Sequence, residues 1–440
     1  MPVNTNALRV AAIIISLLPI TRVAVSIQSD WQGIRGWEAY WVASALAEGR
    51  GYSFHSSGRW LFDDATSGGY FPTAWVDPLY TYCLAGLIYL FDSYHQLAAG
   101  VFNLLLLAAV FALTYRVAER LATPLGGVIA ISLLALEPFS VRALQMNNTM
   151  LAAFFVALSA LSFIRFLDRP VNTRAVLLGV ILGLTVLACP NAQLFIPVAV
   201  LWIFFWGRAK PATSLAQGGL VLVLALAVML PWAVRNYAVF GEIVPVRTGA
   251  GLNAFIGVVA TAATVAPETL APGVKPEWQA RTPRSAVFEA LGDEKRRALT
   301  RFESYYAHQL APPDYAEMNE AQRDKWFLKE TLRFLETHPI LSLQLALFKL
   351  EVFIRSMGLV GIVVFFLALV ASVPAWSNPA AMSLGLWAAA YLGPFALIIC
   401  YFGRYRAPVE PLLVVLAAFS LIWAVKATAI LLGTRTGNPA

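Results

Sequence analysis

"LYTYCLAGLIYLF", residues 79–91, decides how this chain is threaded through a membrane. The stretch is apolar, yet it falls short of the roughly 20 residues that a spanning helix needs. If it spans, Arg116 and Arg120 lie on the same side as the polar stretch before it. If it lies flat in the interface, those arginines share a side with Arg165, Arg169, Arg174, Arg208 and Lys210. The bias of Lys and Arg toward the cytoplasm selects the second arrangement.

The rest of the composition fits a membrane. Of 440 residues, 59% are hydrophobic and only 13% charged, against about a quarter charged in a soluble domain. Apolar runs recur near 8–28, 97–115, 123–139, 149–164, 174–189, 192–207, 216–235, 357–374, 381–400 and 409–432. These predict an all-α integral membrane protein, a polytopic helical bundle of about 10 spans. The net charge of +7 is spread over loops, which argues against nucleic acid and suits anionic lipid headgroups. Cys83, Cys189 and Cys400 are far apart and apolar in setting, so they read as small core residues and leave the redox compartment open. Arg9 ahead of "VAAIIISLLPI" reads as the start of an uncleaved first membrane helix rather than a signal peptide.

With 79–91 in the interface, the N-terminus is cytoplasmic and seven spans run up to Arg235. Three units follow: a seven-span module over 1–235 that includes a first outer loop, 29–78; an outer-face loop or lid over 236–356; and C-terminal membrane helices over 357–440. The lid carries polar helical stretches near 284–308 and 314–336. The two long polar segments face one outer compartment, and loops of such length usually carry function. No internal repeat is evident.

Three outer-face clusters stand out. In "RGWEAYWVASALAEGRGYSF", 35–54, the residues Trp37, Tyr40, Trp41, Ala45 and Leu46 make an apolar face at helical spacing, which suits a helix lying at headgroup level. Glu38 falls in its first turn, where the helix dipole favours an ionised carboxylate, and Gly49 and Gly51 end the helix. Glu38 is a candidate general base, or an acid that merely completes a helix end. In "LPWAVRNYAVFGEIVPVRTGAGLNAFIG", 230–257, Arg235, Asn236 and Arg247 with Gly249 and Gly251 form either an anion-contacting turn or an interfacial anchor. In "YFGRYRAPVEP", 401–411, Arg404, Tyr405 and Arg406 sit against the charge bias, so they bind a phosphate or are ordinary loop charges. Asp63, Asp64, His55, His338 and Lys349 are further outer polar residues that read first as structural or solvated. Two acids with one nearby His are too few for a metal site, and no zinc spacing, phosphate-cradling glycine loop or nucleophile triad is present.

Taken in order, four stretches resemble the C-type membrane glycosyltransferases (GT-C fold): "GWEAYWVASALAEGRGYSF", "PTAWVDPLY" (72–80), "LPWAVRNYAVFGEIVPVRTGAGLN" (230–253) and "RYRAPVEPLLVVLAA" (404–418). The branch they are most similar to is glycosyltransferase family 39, relatives of the protein mannosyltransferases and the lipid A aminoarabinose transferase. The resemblance implies a sugar donor on a polyprenyl phosphate, such as undecaprenyl phosphate, and transfer at the outer face. It implies Glu38 as catalytic base, where many relatives carry an Asp-Glu pair and this chain has Trp37-Glu38. It implies outer arginines on the donor phosphate, with Arg404 and Arg406 matching best and Arg235 behind them. Tyr405, Asn236, Arg247, Asp63, Asp64 and Lys349 are candidates for further substrate contact.

No cofactor or metal is implied, although oligosaccharyltransferase cousins use one, which keeps Asp63 and Asp64 in view. The acceptor is a lipid, glycan or protein, and the setting a bacterial inner membrane with the site toward the periplasm. One carboxylate base without a second as nucleophile predicts inversion at the sugar carbon. The competing readings are a transporter or flippase for a lipid-linked sugar, a scaffold whose lid binds a partner, and an enzyme with a lipid-diphosphate donor. Transporters commonly show repeated halves.

Overall fold

The computed structural model of the chain describes residues 4–36, 38–55, 69–207, 210–260, 262, 314, 317–376, 378–398 and 405–431. Among these the chain is helical, as its apolar runs predict. Up to residue 255 the helices are α1 (Thr5–Ser29), α2 (Glu38–Ala47), α3 (Pro78–Phe91), α4 (His95–Leu121), α5 (Pro124–Leu136), α6 (Thr149–Asp168), α7 (Asn172–Ala188), α8 (Phe195–Trp206), α9 (Pro211–Phe240) and α10 (Ala250–Phe255). From residue 320 onward they are α11 (Glu320–Thr337), α12 (Pro339–Arg355), α13 (Gly358–Val370), α14 (Pro379–Leu397) and α15 (Glu410–Leu431).

Local chemistry sets the helix ends. Proline opens α3, α5, α9 and α14, where its missing N–H is no loss. Thr123 and Asn378 accept the first free N–H groups of α5 and α14, and Asn319 with Gln322 forms a capping box on α11.

Each of the ten apolar runs is a helix. Among the described residues, seven helical stretches are long and apolar enough to cross a membrane, namely α1, Pro78–Leu121, α6, α9, Gly358–Ala375, α14 and Ala407–Ile430. The runs at Pro124–Leu136, Asn172–Ala188 and Pro190–Trp206 are shorter.

Ion pairs and amide contacts show which helix ends lie together. Arg9 meets Glu119 at 3.2 Å, and Arg120 meets Asp168 at 2.8 Å, so the start of α1 and the ends of α4 and α6 share one end of the bundle. At the other end, Gln96 donates to the Ile34 carbonyl and Asn148 to the Ala188 carbonyl. Both polar segments emerge there.

The stretch 79–91 forms α3, which has both its ends at this second end. Asp77, just before it, meets Arg247, and His95, just after it, stacks on Tyr40 at 5.6 Å. A straight helix over the 44 residues of Pro78–Leu121 would reach about 66 Å, twice the bilayer core. The turn Asp92–Tyr94, with Asp92 at φ 42°, breaks it instead. The placement of α3 across the bundle end agrees with the interfacial reading.

Helix α2 turns its small residues toward the bundle. Ala39, Val42, Ala43 and Ala45 pack inward, while Trp41 is exposed. Small side chains let α2 approach α3 closely, and an indole is suited to headgroup level. Trp37 lies outside the described residues. Of the two lid helices expected, 314–336 appears as α11, and 284–308 lies outside the described residues.

One hydrophobic cluster runs from Ala12 to Ala418. Helices α7 and α9 touch most closely at glycines: a Cβ on Gly179 would lie 2.7 Å from the Val221 carbonyl, and one on Gly183 would lie 2.7 Å from Val228. Such small-residue seams are the usual way helices pack in lipid.

Candidate active site

The polar cavity at the second bundle end is walled by Glu38, Trp75, Asp77, Arg247, Asn253 and Tyr405, together with Asn148, Asn191 and Tyr391. Segments from along the whole chain contribute to it. Glu38 opens α2, Asp77 precedes α3, Arg247 follows α9, and Tyr405 precedes α15.

Glu38 Oε1 accepts the indole N–H of Trp75 at 3.4 Å. The Trp75 ring also carries the Arg247 guanidinium, 5.8 Å from its centroid, within cation–π range. Arg247 Nη1 reaches Asp77 Oδ1 at 3.4 Å. Burial opposes the charge of Arg247, but Asp77, Tyr405 and Glu38 outweigh it and hold its pKa above the ordinary guanidinium value. Acid, guanidinium and indole thus form one contiguous group. Chemically, it offers a carboxylate to take a proton and a cation to meet a phosphate.

Helix α11 locks this group in place. Glu320, at the start of α11, is buried and accepts from Thr73 Oγ1 at 2.7 Å, Ala74 N at 2.8 Å and Thr248 Oγ1 at 2.5 Å. One turn on, Asp324 Oδ1 accepts the Leu252 N–H at 2.9 Å. Burial raises the pKa of Asp324, and bonds from the N–H groups of Leu252, Gly249 and Gly251 pull it back only in part. Gly249, at φ 95°, presses on Trp75, where a Cβ would lie 2.5 Å from the ring; a Cβ on Gly251 would collide with the Asp324 carbonyl. The N–H groups of the glycine turn are directed at this chain's own Asp324.

The sequence-selected residues divide accordingly. Glu38, Arg247 and Tyr405 come together at the cavity, with Tyr405 stacked on Phe395 at 4.7 Å. Arg235 donates to the Thr73 and Tyr52 carbonyls at 2.7 and 2.9 Å, bracing the segment that leads into Trp75. Asn236 is fully buried and donates to the Val244 and Val246 carbonyls. Lys349 is buried at the end of α14, where it donates to the Leu397 and Ile398 carbonyls. Arg406 does not line this cavity; it pairs with Glu137 and Glu410. Arg404, Asp63 and Asp64 lie outside the described residues.

Sequence reasoning assigned no role to Asp77 or Trp75, although both stand in the quoted "PTAWVDPLY". Their signal was weak because an acid before a proline reads as a helix cap. Only the approach of Arg247 sets Asp77 apart. Among the described residues no three His, Cys, Asp or Glu side chains gather as metal ligands would. Asp77 already meets a guanidinium, so the two acids of the cavity are a poor fit to a divalent cation.

Residues 74–234 match the family model described as dolichyl-phosphate-mannose-protein mannosyltransferase. No curated protein matches the chain. Among solved structures, the apo oligosaccharyltransferase of Archaeoglobus fulgidus is similar, with a TM-score of 0.54 at 13% identity over 99% of this chain and 52% of that one. The archaeal oligosaccharyltransferase AglB from Archaeoglobus fulgidus, in complex with an inhibitory peptide and a dolichol-phosphate, gives a TM-score of 0.51 at 12% identity over 94% and 48%. ArnT from Cupriavidus metallidurans, bound to undecaprenyl phosphate, gives 0.46 at 15% identity over 95% and 63%. The chain spans about half the length of the oligosaccharyltransferases it matches. It has the fold of the C-type membrane glycosyltransferases, and its residues 74–234 carry the pattern of the dolichyl-phosphate-mannose-protein mannosyltransferase family.

Proposed function

We propose that the protein transfers a sugar from a polyprenyl-phosphate lipid to an acceptor hydroxyl, in one displacement that inverts the sugar carbon. The observation that carries this reading is the meeting of Glu38 and Arg247, from distant parts of the chain, in one polar cavity at the bundle end. The family description names a dolichyl-phosphate sugar, and the fold relative AglB was solved with a dolichol-phosphate.

In this reaction the acceptor oxygen attacks the anomeric carbon while its proton passes to Glu38. The bond from that carbon to the phosphate oxygen breaks, and the lipid phosphate leaves with the bonding pair. Arg247, held by Asp77, meets the growing phosphate charge; Arg404, next to the cavity residue Tyr405 in the chain, is a second candidate for that contact. A positioned carboxylate base contributes roughly 10²–10⁴-fold, and fixed guanidinium groups act most strongly where water is excluded. The reaction as drawn needs no metal.

The opposite bundle end carries Arg9, Arg116, Arg120, Arg165, Arg174 and Lys210. That accumulation supports a cytoplasmic placement for it, and hence an outer, periplasmic placement for the cavity. The docking of α11 on the loops that form the site supports reading 236–356 as a lid.

The test is turnover of labelled polyprenyl-phosphate sugar by purified protein. Release of lipid phosphate coupled to glycosylation of acceptor is expected, unaffected by a chelator, and Glu38→Gln should abolish it in a protein that still folds. Full turnover in that variant would remove Glu38 from the reaction. Movement of the intact donor between leaflets without transfer would favour a flippase.

A further inference from the structure

We propose a second lipid site, which holds a phosphoethanolamine headgroup in the cavity between the end of α5, the α12–α13 turn and the start of α15. Its walls include Phe139, Arg142, Phe353, Met357, Arg406 and Glu410. Arg406 lies between two acids. Its Nη2 is 2.9 Å from Glu137 Oε2 and 2.9 Å from Glu410 Oε1, and its Nε donates to Glu410 Oε1 at 3.0 Å. Gly361 lets α13 come this close, because a Cβ there would collide with Arg406 and lie 3.1 Å from Glu137 Oε1.

The other oxygen of Glu410 is the unusual feature. Glu410 is only 5% exposed, and its Oε2 has no hydrogen-bond partner among the described residues. A buried carboxylate oxygen without a donor is strongly unfavourable, so the cavity calls for a ligand that brings one. A divalent cation would need six or more oxygen ligands, and Glu410 and Ser356 are the lining side chains that carry any oxygen. A primary ammonium brings both N–H donors and positive charge. Arg142, on the same cavity, offers a guanidinium to the phosphate that accompanies such an ammonium. The exposed apolar side chains of Leu136, Val141 and Leu359 flank this region, and they continue it toward acyl chains.

The site also touches the candidate active site. Tyr405 and Pro408 line the cavity of Glu38, while Arg406 and Glu410, on the same turn, line this one. A bound headgroup supplies the missing donor behind the turn that presents Tyr405. The lipid is therefore a structural partner at the outer leaflet and is distinct from the donor.

The experiment is native mass spectrometry of the delipidated protein after addition of phosphatidylethanolamine, phosphatidylcholine or phosphatidylglycerol. Phosphatidylcholine carries the same two charges but no N–H donor, so it isolates the bond to Glu410. Phosphatidylethanolamine is expected to be retained about tenfold more than phosphatidylcholine, equivalent to about 1.4 kcal/mol. Glu410→Gln and Glu410→Ala should each abolish that preference, and Arg142→Gln should weaken both lipids. Equal retention of the two lipids by the unmodified protein would overturn the proposal, as would an intact preference in both Glu410 variants; water would then satisfy Oε2. The readout is lipid retention, so either outcome leaves the transferase reading to its own test.

Discussion

Glu320 accepts a 2.7 Å hydrogen bond from Thr73, 247 residues earlier in the chain, and both side chains are buried. The same carboxylate takes the Ala74 N–H and the Thr248 hydroxyl. One acid at the start of α11 thus joins the first outer loop to the turn behind Arg247. The cavity is assembled by α11 as much as by the helices of the bundle.

Removing that acid should loosen the site from a distance. Glu320→Ala leaves three buried donors unmet, at about 1–3 kcal/mol each. The expected result is faster protease cleavage within 236–356 and turnover reduced about tenfold or more, with Glu320→Gln intermediate. Wild-type protease resistance in Glu320→Ala would show that the clamp contributes little.

The pair of Asp77 and Arg247 predicts an asymmetry. Asp77 is buried and Arg247 partly so, and removing one partner of such a pair costs more than replacing both. Asp77→Asn and Arg247→Met should each lower thermal stability in detergent more than the double variant does. Arg247→Lys should keep the charge yet raise KM for the donor, because an ammonium cannot form the planar fork of contacts.

Trp75 orients Glu38 through a single N–H. Trp75→Phe retains a ring against Arg247 but removes that donor, so kcat should fall several-fold with little change in KM for the donor. A matching fall in donor affinity would place the role of Trp75 in binding instead.

The seam between α7 and α9 should tolerate no added bulk. Gly183→Leu forces atoms into space held by Val228 and the Ala225 carbonyl, and overpacking of this kind costs about 1–3 kcal/mol. A lowered melting temperature in detergent is expected, whereas Gly219→Leu, which has open space at the corresponding position, should be neutral.

Much of the fold was legible in the sequence because lipid imposes a one-dimensional rule. A helix in the bilayer must satisfy its own backbone and be apolar along its length, and both properties are local. Ten apolar runs therefore gave ten helices, and the brevity of 79–91 together with the arginines that follow it placed α3 across the bundle end. The cavity was legible only in part. Glu38, Arg247 and Tyr405 could be named as candidates because polar residues at an outer face are few. Asp77 and Trp75 could not, since a cap and an interfacial aromatic look the same in sequence whether or not they face a cavity.

By itself, then, the sequence determined the helices, their alternation and the end of the bundle where the polar segments gather, all of which follow from hydropathy and charge along the chain. The tertiary structure alone decided which charges meet. Arg247 faces Asp77 and the cavity of Glu38, Arg406 turns to Glu137 and Glu410, and Arg235 braces backbone carbonyls. A guanidinium takes its role from the acid or carbonyl within about 3 Å of it, and chains folded from distant segments settle that distance only in three dimensions.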